Sequence, residues 1–267
     1  MDGRWAWAER RGQTYGTYSG AVSDTVAELP RAARLACWYT AWAAGECSLD
    51  DARDAVVGDD TAHDVLGIED EPVPLVLAFG MLRARGASGA TLTLPAPGDL
   101  VGLGGPPGFN AEAIEAGEAV LLPGSGLGLA PTVVGAGVTW QAAPAAESYT
   151  VPALPDAEAS LRVTLLECSA RLADLDVARW RPEAAEGLHA LRSAGGEPLP
   201  PGFGARAQRV AALALRCLAL CELALDDDGG AVSAYEAAER HDALGLLART
   251  SRHALVAACS EPVGRKS

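Results

Sequence analysis

The apolar pattern of this chain changes period twice, and that change restricts the fold more than any other feature. Leu35, Trp38 and Trp42 recur at helical spacings of three and four. Ala90-Thr-Leu-Thr-Leu94 then alternates like a strand, and Glu118 to Leu122, Leu127 to Val134 and Val138 to Ala142 also read as strands. Between them lie Pro95-Ala-Pro-Gly-Asp99, Gly102-Leu-Gly-Gly-Pro-Pro-Gly108 and Gly124-Ser-Gly126, which are turn chemistry. From Asp156 helical spacing returns: Leu161, Leu165, Cys168, Leu172 and Leu175 form one seam. Strands grouped together and followed by helices predict an α+β fold, a small mostly antiparallel sheet with helices and then a C-terminal helical bundle of about four helices.

This pattern divides the chain into an N-terminal extension (1–29), an α+β part with an acidic segment and Gly/Pro-rich loops (30–145), a linker (146–155), a helical bundle (156–259) and a tail (260–267). The two larger parts are expected to pack together. Within the α+β part, Ser48 reads as the N-cap of a second helix, with Asp50 and Asp51 in its first turn. Residues 58–74 read as acidic and turn-rich, and a third helix spans about Leu75 to Arg85. Asn110 reads as the cap of a short helix to Ala116. In the bundle, Pro182 suits the first turn of a helix, and Ser233 with Glu236 forms a capping box. Arg206 to Leu225 is apolar nearly all round, which predicts the central buried helix.

Charge narrows the functional classes. The formal net charge is −14, and nearly all of the surplus lies between residues 50 and 161. Asp50, Asp51, Asp54, Asp59, Asp60, Asp64, Glu69, Asp70 and Glu71 face a single base, Arg53, and no Lys, Arg or His occurs from Gly86 to Leu161. With a pI near 4.7, neither nucleic acid nor an anionic membrane is an expected partner, because phosphate neutralisation needs clustered cations. The only lysine is Lys266; every other basic residue is arginine. Schiff-base (PLP) and P-loop nucleotide chemistry both need a positioned lysine, so neither is expected. Met1 to Arg11 is polar and lacks an apolar core, and the six cysteines are scattered through helical patterns; both point to a cytoplasmic protein with reduced thiols.

Several residues are candidates for chemistry. Asp60, His63 and Asp64 form the metal candidate: on a helix Asp60 and Asp64 would share a face at i,i+4, and carboxylates with an imidazole suit a divalent cation. Asp59, Asp60, Asp64, Glu69, Asp70 and Glu71 together are the candidate docking surface for a basic protein partner. Gly102, Gly104, Gly105, Asn110 and Ser125 belong to loops that resemble ligand cradles, although no helix N-terminus follows them as a phosphate loop requires. Asp99, held in a turn between Gly and Leu, is the acid most suited to proton transfer, with an Asx-turn as its structural alternative. Ser125 lacks the G-x-S-x-G elbow. Asp226-Asp-Asp-Gly-Gly230 is out of register for a calcium loop and reads as a turn. Cys217 and Cys221, at i,i+4, read as core thiols rather than half of a zinc site.

The strings LPAPGDLVGLGGPPGFNAEAIEAGEAV (94–120), DVARWRPE (176–183) and LDDDGGAVSAYEA (225–237) resemble an uncharacterised protein family of GC-rich bacteria, over roughly residues 40–259. That resemblance carries no activity or catalytic residue. The residues themselves point to a non-catalytic interaction or regulatory protein using the acidic surface 50–71. The alternative is a metal-assisted enzyme or small-molecule binder with a cleft beside the Gly-rich loops (95–131).

Overall fold

A computed structural model describes residues 28–148, 151–174, 198–225 and 234–264. Chain order runs α1 (Arg31–Ala44), α2 (Leu49–Val57), β1 (His63–Leu66), β2 (Val73–Pro74), α3 (Leu75–Ala84), β3 (Thr91–Thr93), α4 (Pro107–Ala116), β4 (Ala119–Leu122), β5 (Leu127–Val134), β6 (Gly137–Pro144), α5 (Leu154–Asp174), α6 (Ala205–Leu225) and α7 (Ala234–Cys259). The fold is α+β, with helices following a six-stranded sheet of order β2-β1-β6-β5-β4-β3. The neighbours pair antiparallel except β1 and β6, which are parallel.

Local chemistry sets the helix ends. α1 stops at Gly45, whose φ of 83° lets its N–H return to the carbonyls of Ala41 and Trp42. Ser48 caps α2: its side chain accepts from the Asp51 N–H while the Asp51 carboxylate accepts from the Ser48 N–H.

One face of the sheet carries Val65, Leu92, Val120, Leu122, Leu129, Val138 and Trp140 into a core shared with α1, α2 and α3 and with α5, α6 and α7. The opposite face meets α4, which buries Phe109 and Ala113 against Ala119, Leu121 and Ala130 in a smaller cluster. Trp42 packs in the large core beside Tyr39 and Phe79, at ring-centroid distances of 5.6 Å from each, with the Arg83 guanidinium 5.2 Å from its own ring.

The structure departs from the sequence reading in three places. The acidic segment holds two strands rather than turns alone. Burial alternates along His63–Leu66, and these residues pair in register with Val138–Gln141, far along the chain. α4 begins at Pro107, so Asn110 lies inside the helix; its Oδ1 accepts from the Gly105 N–H at 3.1 Å. Among the described residues the most deeply buried helical stretch is Ala254–Cys259 of α7, not α6. Its small residues let this end of α7 pack closely against α5, α6 and β3. The helix expected after Pro182, the Asp226–Gly230 turn and Ser233 lie outside the described residues. No described helix is long and apolar enough to cross a membrane.

Candidate functional site

The carboxylates of the acidic segment are of two kinds. Asp60 sits in the loop between α2 and β1, tied to the helix end by its N–H to the Val57 carbonyl. Arg31, in the first turn of α1, grips it with a two-pronged pair: Nη2 donates to Oδ1 at 2.7 Å and Nε to Oδ2 at 2.8 Å. Arg34 approaches to 3.6 Å. The bonds from Arg31 hold the Asp60 carboxyl down at about 2, with a further contribution from His63 and against the opposing effect of burial.

His63, buried on the core side of β1, links Asp60 to the sheet. The Trp140 indole N–H donates to His63 Nδ1 at 3.2 Å, and an indole nitrogen is a donor only. The ring proton therefore sits on Nε2, which donates to Asp60 Oδ2 at 3.1 Å. Burial pushes the His63 pKa below its ordinary value. With both ring nitrogens engaged, His63 has no lone pair for a cation. Glu118, half-buried at the start of β4, completes the cluster by accepting the Ala32 N–H at the N-terminus of α1 at 2.8 Å. Burial raises its pKa. At Gly58 the backbone takes a φ of 54°, which suits glycine, and the Arg34 guanidinium lies over it.

This geometry corrects the metal reading. Asp60 and His63 do meet, but Asp64 follows His63 in a strand, so its side chain lies on the opposite face. A helical i,i+4 relation does not exist here. Among the described residues no three His, Cys, Asp or Glu side chains are grouped as a cation would require. Asp59, Glu69, Asp70 and Glu71 are exposed, as are Asp50, Asp51 and Asp54 on α2, and Asp64 is half-buried. Arg85 reaches Glu69 at 3.4 Å on the exposed surface. Asp60 alone of the predicted docking acids is turned into the protein.

Asp99 is the centre of a second cluster. It closes the turn after β3, where its N–H and carbonyl exchange bonds with Ala96. Its buried carboxylate faces α7. Arg252 donates to Oδ2 at 2.7 Å, His253 Nε2 lies 2.9 Å from Oδ1 and 3.0 Å from Oδ2, and Arg249 stands 3.6 Å away. Burial alone would raise its pKa, but the bonds from Arg252 and His253 outweigh it and hold the carboxyl below the usual range. Both oxygens are occupied, so Asp99 joins the turn to α7. The sequence showed Asp99 and its turn but not its partners, which lie 153 and 154 residues away.

The glycine-rich loops are used for packing. A Cβ on Gly104 would run into the Glu147 carbonyl, and one on Gly102 would press on Thr93 and the Leu92 carbonyl. Gly105 donates its N–H to Asn110 and accepts from Ala146 at 2.8 Å. Ser125 Oγ donates to the Leu122 carbonyl at 2.7 Å and accepts from the Leu127 N–H at 3.3 Å, closing the β4–β5 turn. Cys168, Cys217 and Cys221 are buried, and burial raises all three thiols, which keeps them protonated.

The fold and its two clusters describe an α+β protein with a sheet-bearing N-terminal region and C-terminal helices, pinned to each other through Asp99. Residues 32–157 match the model of the N-terminal domain of Rv1486c-like proteins, and residues 155–256 match the model of their C-terminal domain. The chain belongs to that family. It is 32% identical to the uncharacterised proteins Rv1486c and MT1533 of two Mycobacterium tuberculosis strains, over 36% of this chain. The chain spans 42% of the length of these curated relatives. No solved structure matches it.

Proposed function

We propose that this is a non-catalytic cytoplasmic interaction protein that docks a basic partner on the acidic surface formed by α2, Asp59 and the β1–β2 turn. The observation that carries this reading is the exposure of Asp50, Asp51, Asp54, Asp59, Glu69, Asp70 and Glu71 on neighbouring elements, with Arg53 and Arg85 as the counter-ions at hand. Such a patch attracts cationic surfaces at long range and fixes their orientation on arrival. The engagement of Asp99, His63 and Ser125 within the fold supports the non-catalytic side of the reading. Asp60 is not part of the surface, because Arg31 and Arg34 already hold its carboxylate.

The test is affinity capture from the native host with the wild type beside the Asp59→Asn/Glu69→Gln/Asp70→Asn/Glu71→Gln variant. Loss of a basic partner with an unchanged melting curve is expected. Equal recovery by both proteins refutes the docking surface.

A further inference from the structure

Beside the acidic surface, the outer face of the sheet carries a cleft of about 310 Å³ whose lining includes Thr61, Asp64, Val134, Ala136 and Thr139. It opens where β1 and β6 begin and where the β5–β6 turn crosses them. Asp64 and Thr139 are register partners across the parallel pair, and Thr132 of β5 stands opposite Thr139, so the three share one face. α4 covers this face further along, over β4 and β5, and leaves it open here.

The polar side chains of this cleft are unused. Among the described residues the Asp64 carboxylate has no hydrogen-bond or ion-pair partner, although Asp60, four residues earlier, has three. The Thr61 and Thr139 hydroxyls are likewise unengaged. A carboxylate with no partner within the described fold is open to a cation from outside it. Val134, 62% exposed, supplies an apolar wall to the same opening.

We propose that this cleft receives an arginine side chain of the basic partner, with the guanidinium on Asp64 and its stem against Val134. A guanidinium presents donors in a planar fork, which matches a carboxylate flanked by hydroxyl acceptors; a lysine ammonium presents a point charge and uses fewer of them. An apolar wall suits the aliphatic stem. The proposal rests on the docking reading above and adds the anchor and its chemistry.

The test uses the full chain and two labelled probes, a hexa-arginine and a hexa-lysine peptide. Affinity is read by fluorescence anisotropy and the contact surface by backbone amide shifts. Hexa-arginine is expected to bind more tightly than hexa-lysine and to shift the amides of Thr61, Asp64 and Ala136 to Thr139. Asp64→Asn should weaken it by about tenfold, as loss of one charge-assisted contact does. Thr139→Val, which keeps the strand, should weaken it by a smaller factor. If Asp64→Asn binds as the wild type does while the Glu69→Gln/Asp70→Asn/Glu71→Gln variant loses affinity, the cleft proposal is overturned and the docking surface stands. If neither set of substitutions changes binding, both are overturned.

Discussion

Replacing Asp99 by alanine should lower the stability of the whole fold by removing the ion pair that ties the β3 turn to α7, and the structure sets the size of the effect. The Asp99 and Arg252 side chains are 8% and 10% exposed, so their 2.7 Å contact is shielded from solvent. Removing one partner of a buried pair leaves the other charge uncompensated, at a cost of about 3–5 kcal/mol. His253 and Arg249 are 30% and 54% exposed and would turn to water, adding roughly 0–1 kcal/mol. The lower end of the sum applies, about 3–4 kcal/mol, because Arg252 also has a further interaction. At about 2–4 °C per kcal/mol for a chain of this size, the midpoint should fall by about 10 °C. The assay is urea unfolding and thermal melting of the wild type, Asp99→Ala, Arg252→Met and the double variant. If the pair is the cause, Asp99→Ala in the Arg252→Met background should cost less than about 1 kcal/mol, since the buried charge is already gone. A single-variant cost below about 1 kcal/mol, or strictly additive effects, would refute the argument.

The Asp60 cluster makes two further predictions. Asp60→Asn should destabilise the protein by ~2 kcal/mol, the linkage equivalent of a carboxyl held at about 2 instead of 3.8, and chemical denaturation gives that number directly. The advantage of the wild type over Asp60→Asn should be constant above pH 7, where His63 is neutral in both, and shrink as pH falls from 4 towards 2, because a depressed carboxyl stabilises only while ionised. Comparing the two proteins removes the common relief of charge repulsion on acidification. His63, whose pKa is lowered by burial, adds a loss of stability as pH falls below 6.5, and Glu118, raised by burial, acts in the opposite sense. A difference in midpoint that grows as pH falls from 4 towards 2 would show that the Asp60 carboxyl is not held down by its partners.

Features written in local chemistry were legible in the sequence. The Ser48 N-cap, the Leu161–Cys168 spacing and the strands flanking Gly124-Ser-Gly126 each depend on residues within a turn or two of helix or one hairpin, and the structure contains them. β1 was missed because two of its partners in legibility, length and composition, both argue against a strand: four residues, one of them Asp64, inside an acidic run. What makes it a strand is the register with Val138–Gln141, which no local pattern encodes. The same holds for the clusters. Asp60, His63 and Asp99 were conspicuous, but Arg31, Arg34, Glu118, Trp140, Arg252 and His253 were not, because each contributes one side chain from a remote helix or strand. One signal did point towards them. In a chain whose bases are arginine up to Lys266, buried carboxylates have only guanidinium or imidazole partners to draw on.

The exposed acids admit a purely structural explanation, and it is separable from docking. β2 is an edge strand of two residues, Val73 and Pro74, and Glu69, Asp70, Glu71 and Pro72 lead into it. Charges and prolines at an edge discourage pairing with a second sheet. If edge protection were their whole role, the Glu69→Gln/Asp70→Asn/Glu71→Gln variant would self-associate as concentration rises. Pro74 remains in that variant and withholds an edge N–H, and the exposed carboxylates of α2 are untouched. The expected result is therefore a monomer–oligomer distribution identical to wild type in light scattering, together with loss of basic-peptide binding. Growth of aggregates with peptide binding retained would assign these three acids to guarding the edge and remove them from the docking surface.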